Sequence, residues 1–309
     1  MLSSLTSIRD PLAVALARKA KSGVSGAAEA TPIAEGDGWR VLDVVCTSGP
    51  GDRPFEERFA TTSISLVLSG AFVYRTDRGT SLLSSGALML GNAGHSYECS
   101  HQHDEGDRCL SFQFDPEFFE RVAYDAGVPR GTFERHCLPP LRELAPLTAR
   151  ARTALETRFG IKAPLEEIAL ELCAKTLRSE ARVSPEVPTT ATSDRGRIVK
   201  VLRQLESQSF EPLTLPDLAR TAGLSRFHFL RTFKRVTGVT PHQWILRARL
   251  REAAQRLAVS KEPVTEIAFD VGFEDLSNFI RTFRAEFGVS PSRYRSIGLP
   301  LSQLTEFRP

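Results

Sequence analysis

Residues 213–295 state one pattern twice. Leu218-Ala219, Gly223, Arg231-Thr232-Phe233-Lys234 and Gly238-Val239-Thr240-Pro241 recur as Ile267-Ala268, Gly272, Arg281-Thr282-Phe283-Arg284 and Gly288-Val289-Ser290-Pro291. The offset is 49 residues up to the glycine and 50 beyond it, so the second copy carries one extra residue in its turn. A pattern repeated at this length is one supersecondary unit used twice. The C-terminal part of the chain must therefore bury the same face of the same unit two times over.

Each copy reads as helix, turn, helix. In the first, Thr214 and Asp217 form a weak capping box, and Leu215, Leu218, Ala219 and Ala222 make an apolar stripe. Gly223 suits the left-handed turn. Ser225 then caps a second helix with Phe229, Phe233 and Val236 inward and Arg226, Phe227, Leu230, Arg231 and Lys234 outward. In the second copy Asp275 caps, Phe279, Phe283 and Phe287 face in, and Leu276, Ser277, Ile280, Arg281 and Arg284 face out. This is the form of a helix-turn-helix. A small helical bundle with solubilising arginines is the other reading, but the recurrence of Arg231 as Arg281 in one outward register favours a shared task.

Charge follows the repeat. The net charge of the 309 residues is only +3, yet from Asp194 onward 19 Lys and Arg face 12 Asp and Glu, a balance of +7, while the preceding residues carry −4. That is the footprint of a phosphate-binding module beside a neutral or acidic domain.

With Trp244 and Tyr294 following the two Gly-Val-Thr/Ser-Pro segments, nearly every signature position of the repeat resembles the AraC/XylS family of transcription regulators, over roughly the last third of the chain. The resemblance implies a sequence-specific regulator that binds double-stranded DNA, responds to a small-molecule effector in an N-terminal domain, and acts as an activator. It also implies RNA polymerase as a partner, a homodimer, and no enzymatic activity. The alternative is a metal-dependent cupin enzyme, or a metal or redox sensor, that carries a DNA-binding segment.

Geometry assigns roles within the repeat. A helix from Thr240-Pro241 to about Val259 joins the copies, and some twenty residues of helix span about 30 Å, close to the ~34 Å between successive major-groove faces. Arg231 and Arg281 are the candidates for bidentate contact to guanine. Phe227, Leu230, Leu276 and Ile280 suit thymine methyl groups, and Arg226, Ser277 and Asn278 reach toward base edges. Ser225, Lys234, Arg249, Arg284, Arg293 and Arg295 are placed for phosphates.

The rest of the chain reads as a second domain. At this length two domains are expected, and 41% hydrophobic residues suffice for packed cores. Arg9, Asp10, Arg18 and Lys19 break every apolar stretch at the N-terminus, and no run reaches the about 18 residues of a membrane span, so a cytoplasmic protein is expected. Five cysteines without C-x-x-C argue against a disulfide framework.

Residues 1–35 form an arm, either loosely docked or, as in some proteins of the resembled family, folded over an effector pocket. Within 36–115, short apolar runs at Trp39 to Cys46, Ser63 to Leu68, Ala71 to Arg75, Leu82-Leu83, Ala87 to Leu90 and Leu110 to Phe114 suggest a barrel or jelly roll. With the resemblance, this looks like a cupin-type effector-binding domain. Cys99, His101, His103 and Cys109 within it are candidate ligands for a metal ion, because alternate residues of an extended segment share a face. A pocket rim without metal, and no cofactor, is the other reading.

Helices are expected at Pro116 to Ala126, Leu138 to Thr157 and Pro164 to Arg182, within a helical segment 116–182. On the last of these, Leu165, Ile168, Leu172, Thr176 and Leu177 form a stripe that is either intramolecular core or, by family analogy, a dimer interface. A linker, 183–193, precedes the double helix-turn-helix domain at 194–296 and a tail at 297–309. The expected architecture is an α+β multidomain chain. Its N-terminal cupin-like β-barrel is followed by helices, and its C-terminal all-α domain holds two helix-turn-helix motifs joined by a linker helix.

Overall fold

A computed structural model of the chain describes residues 10–298 except 103, 129–130, 158–161, 181, 183–190, 209 and 211–212. The N-terminal half begins with α1 (Pro11–Ser22), followed by β1 (Ala28–Gly36), β2 (Trp39–Cys46), β3 (Phe55–Arg58), β4 (Thr62–Thr76), β5 (Gly79–Ser84), β6 (Leu88–Gly91), β7 (Ser96–Ser100) and β8 (Asp107–Phe114). After these come α2 (Pro116–Asp125), β9 (Cys137–Leu138), a 3-10 turn at Arg142–Leu144, α3 (Ala145–Thr157) and α4 (Lys162–Glu180).

The strands form two antiparallel layers that share β4. Its first part pairs with β8 and β6 in the order β1-β2-β8-β4-β6-β9, and its second part, Ala71 to Thr76, pairs with β5 and β7. The two apolar runs seen in the sequence on either side of Ser69-Gly70 are thus one strand of 15 residues. Its register shifts between Val67 and Ser69, and Gly70 sits at φ 79° where a Cβ would lie 2.3 Å from the Gly106 carbonyl oxygen. The bulge turns the strand from one sheet into the other.

The period-2 alternation of the larger layer decides which residues line what. Trp39, Val41, Ile64, Leu66, Leu110, Phe112 and Phe114 point to α2, α3 and α4 and build the main core with them. Their neighbours Cys46, Ser65, Cys109 and Ser111 point the other way, into the barrel. The stripe Leu165, Ile168, Leu172, Thr176 and Leu177 is wholly buried on α4, and its four apolar members belong to that same main core. The structure therefore corrects the dimer-interface reading, because the monomer's own sheet already covers these side chains. The helix expected from Leu138 starts at Ala145 instead, since Leu138 pairs with Leu88 and Pro139-Pro140 follow it.

The described part of the arm is built into the fold. β1 pairs along β2, and Lys19 on α1 donates to the Thr47 carbonyl at 2.7 Å and to Asp52 at 2.9 Å. Asp52 also accepts from the backbone N–H groups of Gly26 and Gly49 at 2.9 and 2.8 Å. The bond from Lys19, with those two, holds the Asp52 carboxyl down at about 2.

The C-terminal half is all helical: α5 (Thr192–Ser207), α6 (Leu215–Ala222), α7 (Arg226–Thr237), α8 (Pro241–Val259), α9 (Val264–Asp270), α10 (Leu276–Phe287) and α11 (Pro291–Gly298). α5 starts inside the stretch read as linker, most of which lies outside the described residues. Each helix-turn-helix has its own aromatic core, Phe229 and Phe233 in one and Phe279, Phe283 and Phe287 in the other. α8 ties them together by placing Trp244 in the first and Leu250, Ala253, Ala254 and Leu257 in the second. Ala71, Val73 and Leu82 of the barrel join the first core, and Ala149 of α3 joins the second, so both motifs rest on the N-terminal half.

Candidate nucleic-acid interface and ligand chamber

The two second helices are built alike. The Ser225 hydroxyl accepts from the His228 N–H at 3.4 Å, and the Asp275 carboxylate accepts from those of Ser277 and Asn278 at 3.1 and 2.8 Å. Both caps satisfy first-turn donors that a helix otherwise leaves bare. Both helices run 12 residues and stop at glycines with φ of 78° and 80°, Gly238 and Gly288. Residues 50 apart therefore occupy the same place on each helix.

Burial of the phenylalanines turns the opposite faces outward. On α7, Arg226, Phe227, Leu230, Arg231 and Lys234 are exposed, Phe227 at 73%. With Leu230, 38% exposed three residues on, it gives this face of α7 an exposed apolar pair. The Arg231 guanidinium lies 5.9 Å from the Phe227 ring centroid, a cation–π approach that orients it. On α10, Ser277, Asn278, Ile280, Arg281 and Arg284 are exposed and Leu276 is half-buried against the second core. Arg281 donates to the Asn278 side chain at 3.1 Å, which holds the guanidinium along the helix.

Two of the residues read as phosphate contacts are occupied elsewhere. Arg249 is half-buried and donates to the Gly272 carbonyl at 2.6 Å, clamping the turn between α9 and α10. Arg295, also half-buried, donates to the Glu262 carbonyl. Sequence spacing placed both on the basic surface, but each caps a carbonyl of its own fold. Ser225, Lys234, Arg284 and Arg293 are exposed, and the last three make no ion pair among the described residues.

In the other half the barrel encloses a cavity of about 320 Å³. Ala28, Leu42, Val44, Phe59, Phe72 and Met89 supply apolar wall, and Arg40, Arg58 and Glu57 stand among the lining residues. A chamber of this volume, with apolar wall on one part and polar side chains such as Ser65, Ser111 and Gln113 on another, has the size and mixed lining of a small-molecule site. One end of it is sulfur-rich, with Cys46, Cys99, His101, Asp107 and Cys109 in the lining.

That end rearranges the metal candidates. His101 follows β7, and its Nε2 meets Asp107 Oδ1 at 2.6 Å. Cys46 is the register partner of Asp107 across β2 and β8, so Cys46, His101 and Asp107 carry donor atoms within 4.8 Å of one another. Burial opposes the imidazolium, but contact with Asp107 and Cys46 outweighs it and His101 is pushed up to about 9. Cys99 and Cys109 are also buried nearby, with thiols pushed well up by burial, and His103 lies outside the described residues. The Cys46 partnership joins residues 55 and 61 positions apart, and only strand register reveals it.

Two capped helices with matching exposed basic faces, joined through α8 and carried on a barrel with a ligand-sized chamber, define a DNA-binding protein with a ligand-binding domain. Comparison with known proteins agrees. Residues 46–173 match the AraC-like ligand binding domain and residues 218–297 a helix-turn-helix domain. The Transposon Tn10 TetD protein of Escherichia coli is 40% identical over 98 residues, 32% of this chain and 71% of that protein. The multiple antibiotic resistance protein MarA of E. coli K12 is 35% identical over 103 residues, 33% of this chain and 81% of that protein. The transcriptional activator AarP of Providencia stuartii is 33% identical over 98 residues, 32% of this chain and 73% of that protein.

The chain belongs to the AraC/XylS family, and it is a DNA-binding transcriptional regulator with an N-terminal ligand-binding domain. No helix among the described residues is long and apolar enough to cross a membrane.

Proposed function

We propose that α7 and α10 enter successive major grooves on one face of the duplex and that the barrel cavity receives the effector that controls this binding. The observation that carries the reading is the recurrence of exposed side chains at an offset of 50 on two helices fastened to one 19-residue helix, α8, about 28 Å long. Arg231 and Arg281 read guanine, while Phe227, Leu230, Leu276 and Ile280 meet thymine methyl groups. Arg226, Ser277 and Asn278 reach base edges, and Ser225, Lys234, Arg284 and Arg293 hold phosphates.

The protein acts as an activator through contact with RNA polymerase, a reading supported by AarP's designation as an activator. Self-association uses a surface other than the buried α4 stripe. The exposed basic faces of α7 and α10 favour regulation over an enzymatic role for the barrel.

Selection from random duplex DNA in rising salt tests this reading. Enrichment of a site with two contact blocks about one helical turn apart is the expected result. Salt-sensitive binding without enrichment sinks it, because the helices then hold phosphate without reading sequence.

A further inference from the structure

We propose that Cys46, His101 and Asp107 form a binding site for one divalent metal ion of the zinc class at the end of the barrel cavity. The proposal rests on reading that cavity as the ligand chamber, and it names a ligand chemistry for it.

Three strands and a loop converge to make the site. Cys46 ends β2, Asp107 opens β8 as its direct register partner, and Gly70 at the β4 bulge pairs with Asp107 from the other side. Register partners carry their side chains on the same face. The chain then returns from β7 to place His101 against Asp107. All three side chains belong to buried residues, 4%, 5% and 5% exposed, on the wall of a cavity that opens beyond them.

Donor type, spacing and charge all favour the zinc class. One thiolate, one imidazole and one carboxylate is a mixed borderline set, unlike the all-oxygen shell that magnesium or calcium takes or the thiolate-rich shell of copper(I). Zinc bonds of about 2.0 to 2.3 Å put two donors on one ion at most about twice that distance apart. The three donors already lie within 4.8 Å of one another, so small side-chain rotations bring them to coordinating distance.

A dication with one thiolate, one carboxylate and a neutral imidazole is uncharged overall, which suits three buried residues on a cavity wall they share with Phe72. On binding, metal bonds form to sulfur, nitrogen and oxygen. The thiol proton of Cys46 and the ring proton held between His101 and Asp107 pass to solvent, and no electron moves. Cys109 supports the carboxylate from behind, its thiol donating to the other Asp107 oxygen at 3.3 Å. Three protein donors leave the fourth position of a tetrahedral ion facing the cavity.

The test uses the full chain, stripped with chelator, kept reduced and free of DNA, with cobalt(II) as the spectroscopic probe and zinc as competitor. The expected result is one cobalt per chain, a thiolate-to-cobalt charge-transfer band, four-coordinate visible bands, and displacement of all of these by zinc. Cys46→Ser and His101→Ala should each weaken uptake at least ~10-fold, and Cys46→Ser should abolish the charge-transfer band while Cys99→Ser keeps it. No uptake by the folded protein, or a band that survives Cys46→Ser and vanishes in Cys99→Ser, overturns the site. Should the variants fail to fold, zinc-edge X-ray absorption of the wild type decides: one sulfur with nitrogen and oxygen neighbours upholds it, and none or three sulfurs overturn it. Because metal is counted without DNA, a failure of the groove-reading proposal leaves this result unchanged, and a failure here leaves DNA selection unchanged.

Discussion

Arg281 and Lys234 test opposite kinds of contact. Arg281 is exposed on α10 with its guanidinium steadied by Asn278, so Arg281→Ala should relax base preference at one or two positions and cost about 1 to 3 kcal/mol on the preferred site. Competition binding against a panel of single-base variants measures this, and equal loss on every sequence argues against base reading. Lys234→Ala should weaken binding to all sequences alike and flatten the slope of log K against log salt by about one unit. Arg249 should behave differently from both. Its side chain is committed to the Gly272 carbonyl, so Arg249→Ala should lower the melting temperature and leave the salt slope as it was. A flattened slope would return Arg249 to the phosphate contacts.

Two elements carry predictions of their own. Leu172 on α4 is 1% exposed in the main core, so Leu172→Ala should cost about 2 to 5 kcal/mol in denaturant unfolding while the sedimentation coefficient at low temperature stays unchanged. Dissociation without loss of stability would restore an interface role to the stripe. α1 is pinned by the Lys19–Asp52 pair, in which the folded pKa of Asp52 is depressed from 3.8 to about 2. A depressed carboxyl contributes stability that is present above its unfolded value and lost as pH falls through the folded one. Docking of α1 should therefore hold above about pH 4 and weaken between there and about 2. Amide exchange across residues 11–22 follows the change, and Asp52→Asn should show the same release at neutral pH.

Ion pairs, hydrogen bonds and apolar contacts all join the two halves of the molecule. Glu286 on α10 pairs with Arg247 on α8 at 3.4 Å and with Arg142 from the N-terminal half at 3.8 Å, while Arg142 also donates to the Ala285 carbonyl at 2.8 Å. Asp104 beside the barrel pairs with Arg203 on α5 at 2.5 Å. These join Ala71, Val73 and Leu82, apolar side chains of the barrel that serve as core for the first helix-turn-helix. A double-mutant cycle between Arg142 and Glu286 should give a coupling of up to about 1 kcal/mol that shrinks in high salt. Zero coupling at low salt would mean that this ion pair contributes nothing to the fastening.

Local chemistry was sufficient for the two helix-turn-helix motifs and the helix between them, though not for α5, which starts inside the stretch read as linker. A 50-residue repeat, capping residues and glycines at turns are short-range signals, and the helix from Pro241 to Val259 was legible to the residue. β2 was equally legible because its alternation is contained in eight residues. What spacing could not supply was anything set by contacts distant in the chain. Pairing of Cys46 with Asp107 depends on strand register, the fate of the α4 stripe depends on which surface reaches it first, and Arg249 and Arg295 found carbonyls instead of solvent. Periodicity says which side of an element is apolar or basic; only packing says what lies against it.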